Sequence, residues 1–175
     1  VSLMAAWEVV WQRSVCLYPS RVVAAYSHAL TFFADHLQQL SCESNGKAIT
    51  RHQQRVTYPT GPLLVSGEGT NVQHSFFQLI HQGPDKIPVE FIKVAQIPFK
   101  STLEQTAFEK LNANLTAQIM ALAEGDLTED LNKEFSGKRP STLLTLQFLS
   151  PSSIGQLIAF YENRTIFEGF IWDIN

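Results

Sequence analysis

Stretches with helical spacing take turns with short β-rich runs along the whole sequence, and that alternation limits what the chain can build. Strands separated by helices pair most readily side by side and parallel, with the helices covering the sheet. The clearest helix starts at the capping sequence Ser101-Thr102-Leu103-Glu104. It lines one face with Leu103, Ala107, Phe108, Leu111, Leu115, Ile119 and Leu122 and stops at Gly125. A second stripe, Val23, Tyr26, Leu30, Phe33, Leu37 and Leu40, alternates in steps of three and four. A third helix follows Pro151, with Ile154, Leu157, Ile158 and Tyr161 at helical spacing. Strand candidates are Pro62 to Val65, Ile87 to Val94, Leu144 to Phe148, and Thr165 to Trp172 around Gly169. The expectation is an α/β fold, a three-layer parallel sheet flanked by helices, with residues 1–175 as one partial domain. Val1 lies inside an apolar helical pattern and Asn175 directly follows an apolar run, so a fragment of a longer chain is expected.

Composition narrows the classes of function. Apolar residues make up 45% and charged residues 17%, which argues against disorder. Thirteen basic against sixteen acidic residues give a net charge of −3 with no basic tract, so no nucleic-acid partner is expected. No apolar run approaches the roughly 18 residues of a membrane span. Val1 to Trp11 contains Glu8 and lacks a basic flank, so it does not read as a signal peptide. Cys16 and Cys42 have no metal-binding or redox spacing, and a reduced, cytoplasmic setting is expected.

Two segments could carry chemistry. In the first, Gln39 and Glu43 lie four residues apart, so they share a helical face until the helix stops near Asn45-Gly46. A carboxylate there meets the negative end of the helix dipole, which makes it a better base. Read from the residues alone, Glu43 fits either that role or a solvated side chain beside a turn. The second segment is a strand, a Gly-rich turn with Thr70 and Asn71 as possible N-caps, and a helix closed by Gly83. His74 is expected in the first turn of that helix, facing a crevice at the carboxyl ends of the strands. There it could move a proton or simply cap its own turn. His81, near the far end, suits the terminal carbonyls, while His28, His36 and His52 show no ligand spacing. The turn is neither GxGxxG nor a P-loop, so it gives no support for a nucleotide site.

These strings resemble a known family. Glu43-Ser44-Asn45-Gly46-Lys47, Thr60-Gly61-Pro62, and the run from Gly69-Thr70-Asn71 through Gln73-His74-Ser75-Phe76-Phe77 to His81-Gln82-Gly83 are similar to phosphoglucose isomerase. Gly137-Lys138-Arg139-Pro140-Ser141 is similar to the family's Gly-Asn-Arg-Pro-Thr, and Ile171-Trp172-Asp173-Ile174-Asn175 to a segment near the end of its isomerase domain. Where the family usually reads Trp-Gly-Glu-Pro-Gly, this chain has Val65-Ser66-Gly67-Glu68-Gly69, and Val72 stands where Gly is common.

The resemblance implies most of the second of two sugar-isomerase (SIS) domains and interconversion of glucose 6-phosphate and fructose 6-phosphate through a cis-enediol. It implies no metal and no organic cofactor. Glu43 falls on the base that carries the proton between C2 and C1, His74 on the imidazole that opens the sugar ring, and Gln39 on a substrate-binding glutamine. It further implies a homodimer in which His74 reaches the neighbouring active site. The phosphate loop, the arginine of a Gly-Gly-Arg segment, and a glutamine and lysine beyond the last segment are absent from the sequence. A fragment inactive by itself is therefore expected. A non-catalytic sugar-phosphate sensor on the same fold is the alternative. The enzymatic reading depends on Glu43 facing a cleft bordered by the strand ends and the Gly-rich turn; a Glu43 turned to bulk solvent, away from any such cleft, would leave a layered fold without an assigned activity.

Overall fold

The computed structural model of the chain describes residues 1–174. Four parallel strands form one sheet: β1 (Ser20–Tyr26), β2 (Leu63–Glu68), β3 (Val89–Gln96) and β4 (Ser141–Phe148), in the order β2-β1-β3-β4. The connections carry α2 (Thr31–Asn45), the short α3 (Gly69–Val72) and α4 (Phe77–Gln82), and the long α5 (Thr102–Glu124). Helix α1 (Ser2–Val10) precedes the sheet and α6 (Pro151–Ile171) follows it. No helix among the described residues is long and apolar enough to cross a membrane.

Side chains alternate along β1 and divide the core in two. Val22, Ala24 and Tyr26 face a cluster with Phe77, Ile80, Phe91, Leu115 and Leu122, beneath α4 and α5. Val23 and Ala25 face the other cluster, with Leu37, Leu64, Ile92, Leu157 and Tyr161, beneath α2 and α6. This is the expected three-layer α/β arrangement. A smaller cluster of Val9, Val10, Trp172 and Ile174 packs α1 on the end of α6.

Two expected elements differ in the structure. The stripe from Val23 to Leu40 is not one helix: Val23 and Tyr26 lie in β1, and the helix starts only at Thr31. A central strand buried on both faces reads as a continuous apolar run, and such a run contains helical spacings by chance. Thr165 to Trp172 is no strand, because α6 continues through Ile171. Ile166 and Phe170, like Phe167 and Ile171, stand four apart, and Arg164 and Glu168 form an ion pair one helical turn apart, Nε to Oε1 at 3.3 Å. Gly169 does not break the helix; Asn45 Oδ1 lies close to where its Cβ would be.

The start of α5 follows the expected capping chemistry with one change, whereas Thr70 and Asn71 do not serve as the expected N-caps, since α3 begins at Gly69. Ser101 accepts from the Glu104 amide at 3.2 Å, but Glu104 bonds the Lys100 amide at 2.6 Å instead of returning to Ser101. Ser150 and Ser153 make a reciprocal capping box at the start of α6, with Pro151 in its first turn. Beyond α5, Gly125 (φ 75°) and Gly137 (φ 60°) lie backbone against backbone, where neither leaves room for a Cβ. This crossing brings Arg139 inward, and its guanidinium donates to the carbonyls of Asp85 at 2.8 Å and Gly83 at 2.5 Å.

In the interior, the Glu90 carboxylate in β3 gathers three side chains. Oε2 receives Arg21 Nη2 and Arg164 Nη1, each at 2.7 Å, and Oε1 accepts from the Tyr161 hydroxyl. Arg164 continues to Glu168, whose Oε2 accepts from Asn45 Nδ2 at 2.9 Å. All six side chains are buried. Burial by itself would raise the Glu90 carboxyl, but Arg164, Arg21 and the hydrogen bonds outweigh it and hold it below the usual range. Burial prevails at Glu168, which is raised despite Arg164 and Arg21.

Removing one partner from such a group leaves uncompensated buried charge. Glu90→Gln is expected to cost about 3–5 kcal/mol, a drop in Tm of roughly 6–20 °C for a chain of this size, read by thermal unfolding. A folded-state value depressed below the unfolded one gives stability that is complete above the unfolded value and lost as pH falls through the folded one. Wild type is therefore expected to lose stability below the ordinary carboxylate range, and Glu90→Gln to lack that share of the loss. Glu168, raised in the folded state, works in the opposite sense.

Candidate active site

Helix α2 delivers Gln39 and Glu43. It runs antiparallel to β2: Ser66 Oγ donates to the Ala34 carbonyl at 2.7 Å, and eight residues later the Cys42 thiol approaches the Leu64 carbonyl at 4.0 Å. The end of α2 thus lies at the amino-terminal edge of the sheet. Gln39 Nε2 donates to Glu43 Oε2 at 3.3 Å, so the two side chains do share a face, and both are exposed. The helix ends at Asn45 as expected, with Gly46 at φ −75° rather than in a left-handed stop.

Asn45 fixes that end. Its buried amide donates to Glu168 Oε2 at 2.9 Å and to the Thr165 carbonyl at 3.1 Å. Beside it lies a cavity of about 390 Å³ lined by Leu40, Ser44, Lys47, Arg51, Glu162 and Phe170, among others. Arg51 is held there by Asp173 at 2.7 Å. Glu43 itself is not among the cavity's lining residues.

The Gly-rich turn lies at the other edge, past the carboxyl end of β2. Glu68 stands at the N-cap of α3 and makes no capping bond; its Oε2 accepts from Asn71 Nδ2 at 3.0 Å and lies 3.2 Å from His28 Nδ1. Gly69 passes against the face of Tyr26 with no room for a side chain. The expected single helix is broken into α3 and α4, and His74 lies in the turn between them, not in a first helical turn. Its amide donates to the Asn71 carbonyl at 3.2 Å, and its side chain is exposed. With Gln73, Phe77, His81, Gln118 and Phe135 it lines a cavity of about 300 Å³. His81 does not serve the end of its own helix; Nε2 meets Gln118 Oε1 of α5 at 2.8 Å.

The structure does not bring Glu43 and His74 together within one chain. Six residues of β2 run between the two edges, about 20 Å at roughly 3.3 Å per residue. The expectation that Glu43 faces a cleft bordered by the strand ends and the Gly-rich turn is therefore not met in a single copy.

Sequence reasoning missed several holding residues. Glu90 and Arg21 could have been noticed as charges inside apolar strand runs, and Arg164 and Glu168 as a pair four apart. Gln73 and Asn45 stand inside the quoted strings beside His74 and Glu43, but nothing local marks them as structural.

Comparison with known proteins adds to this geometry. A family model described as phosphoglucose isomerase matches residues 1–175. The glucose-6-phosphate isomerase of Treponema denticola is 47% identical over 99% of this chain, and that of Chlamydia pneumoniae is 45% identical over the same share. The chain spans about a third of each relative, 34% in both cases. A crystal structure of a glucose-6-phosphate isomerase from Chlamydia trachomatis superposes with a TM-score of 0.91 at 42% identity, covering 99% of this chain and 34% of that one. With the same layered fold and a match that runs from the first residue to the last, the chain belongs to the phosphoglucose isomerase family.

Proposed function

We propose that this chain forms part of an aldose–ketose isomerase that interconverts glucose 6-phosphate and fructose 6-phosphate in the cytoplasm. Family membership over the full chain carries the reading, and the exposed Gln39–Glu43 pair at a pinned helix end supports it. Moving a hydrogen between neighbouring carbons needs a base within hydrogen-bond reach of both, and a carboxylate can take the proton from C2 and return it to C1. Glu43 fills that role, with Gln39 holding a substrate hydroxyl on the same helical face. The imidazole of His74 passes a proton between the ring oxygen and the anomeric oxygen, which opens the sugar before the base acts. Every step in this scheme is a proton transfer between oxygen, carbon and a side chain, and none is routed through a metal or organic cofactor.

Because Glu43 and His74 lie at opposite edges of the sheet, the working site takes one from each of two subunits. A homodimer then makes two equivalent sites, each with Glu43 of one chain facing His74 of the other. On this reading residues 1–175 are most of a second SIS domain, and the groups that hold phosphate and steady the enediolate come from the rest of a full-length enzyme.

In the full-length enzyme, Glu43→Gln is expected to lower kcat by about 10²–10⁴ with sugar-phosphate binding retained. Unchanged turnover would exclude Glu43 as the base, and binding without turnover in the wild type would point to a sensor. Glu43→Gln and His74→Gln subunits, each slowed by about 10²-fold or more in its own homodimer, are expected to recover about a quarter of the wild-type rate when paired at random, because half the dimers then hold one intact site. No recovery would refute the shared site. Chain 1–175 alone is expected to show negligible turnover in a dehydrogenase-coupled assay, since each missing oxyanion stabiliser costs about 10²–10³ in rate.

A further inference from the structure

On the reading that His74 acts as the ring-opening group, we infer that Gln73 is a positioning residue, which fixes His74 through a neutral clamp on Tyr26 and Asn114. The imidazole of His74 is exposed and makes no hydrogen bond of its own among the described residues, so what the fold fixes is the backbone of the turn from which it projects. That turn is short, held by the amides of His74, Ser75 and Phe76 on the carbonyls of Asn71 and Val72 at 3.0–3.2 Å. A turn with so few bonds needs a tether to rigid structure, and Gln73 provides one. Its Nε2 donates to the Tyr26 hydroxyl and to Asn114 Oδ1, each at 2.6 Å.

Both receiving groups are themselves immobilised. Tyr26 ends β1 with its ring buried, edge-on to Phe91 at 5.9 Å and pressed against Gly69. Burial pushes its phenol above the usual range, so it remains a neutral hydroxyl, and it approaches Asn114 Oδ1 at 3.4 Å. Asn114 lies in the middle of α5, one position from the fully buried Leu115. One amide thus joins the turn to the sheet and to the helix above it. On the other side of the turn, Asn71 Nδ2 holds Glu68 at 3.0 Å. The residue next to His74 is therefore fixed from two elements while His74 stays free to meet a ligand.

A group that acts only through His74 should lose its importance once His74 is gone, whereas a residue needed merely for folding should not. In the full-length enzyme, Gln73→Ala is expected to lower kcat by about 10–100-fold, with KM within about twofold of wild type. Tyr26→Phe, which keeps the ring, is expected to reproduce part of that loss. Adding Gln73→Ala to His74→Gln is expected to cost less than about twofold more. Equal losses in both backgrounds, or a loss confined to KM, would overturn the inference. Hydrogen–deuterium exchange over residues 70–78 reads the clamp independently of turnover. Faster exchange in Gln73→Ala, with other segments unchanged, supports it, and unchanged exchange refutes it. An enzyme without isomerase activity would refute the proposed function, while the exchange measurement would still decide whether Gln73 holds the turn.

Discussion

One carboxylate, Glu90, holds the layers of this molecule in register. It lies in β3 and gathers Arg21 from the neighbouring strand β1 and Arg164 and Tyr161 from α6. Two guanidiniums around one carboxylate are unstable in a dry interior unless other anions share them. Glu168 takes that share through Arg164 and then passes the constraint to Asn45 at the end of α2. A single connected network therefore decides where the sheet, the last helix and the end of the Glu43 helix sit. Apolar packing could hold these layers equally tightly, but it has no directional bonds to fix how α2 ends.

The same architecture explains why Glu43 and His74 lie apart in one chain. In a parallel sheet, each connecting helix runs back against the strands, so its carboxyl end arrives at the amino edge of the sheet. The turn after a strand begins at the opposite edge. Glu43 belongs to the first kind of position and His74 to the second. Chemistry that needs both residues requires a surface from elsewhere, and the two-fold pairing of the proposed function would supply it without adding a new element to the fold. Exposure of both side chains, which in a self-contained enzyme would count against a catalytic role, is what a shared site requires of its separate halves.

Much of the fold was legible because its strongest signals are local. The stripe and capping serine of α5, the Ser150-Pro151 start of α6 and the Gly-bounded run of β2 each carry their own start, stop or period. At β1 the error came where burial on both faces removed the period. Val22 to Tyr26 is buried throughout, so nothing in its pattern separates a strand from the start of the next helix. Ile166 to Ile171 has as much β-branched and aromatic content as a strand, but its apolar Ile166 and Phe170 stand exposed while the polar Thr165 and Glu168 are buried, so hydrophobicity gives no guide to the buried face of this helix. The break between α3 and α4 was equally hidden, since caps and glycines at 69–83 suit one helix as well as two.

At the site, the strings that resemble the family contain two kinds of residue, and only one kind can be read without coordinates. Glu43 and His74 are the residue types that proton transfer demands, so they stand out by chemistry alone. Asn45 and Gln73, two positions after the first and one before the second, are ordinary amides whose partners lie 123 residues away in one case and 47 and 41 in the other. In both segments a polar amide ties the backbone to buried structure and leaves the neighbouring reactive group free of bonds to the core. The close spacing follows from mechanics, because a tether placed further along the chain would leave rotatable backbone between itself and the group it holds. On the proposed function, a substitution at Asn45 or Gln73 is expected to move the neighbouring Glu43 or His74 while every reactive atom is retained, so the identity of residues 43 and 74 is by itself an incomplete description of the proposed site.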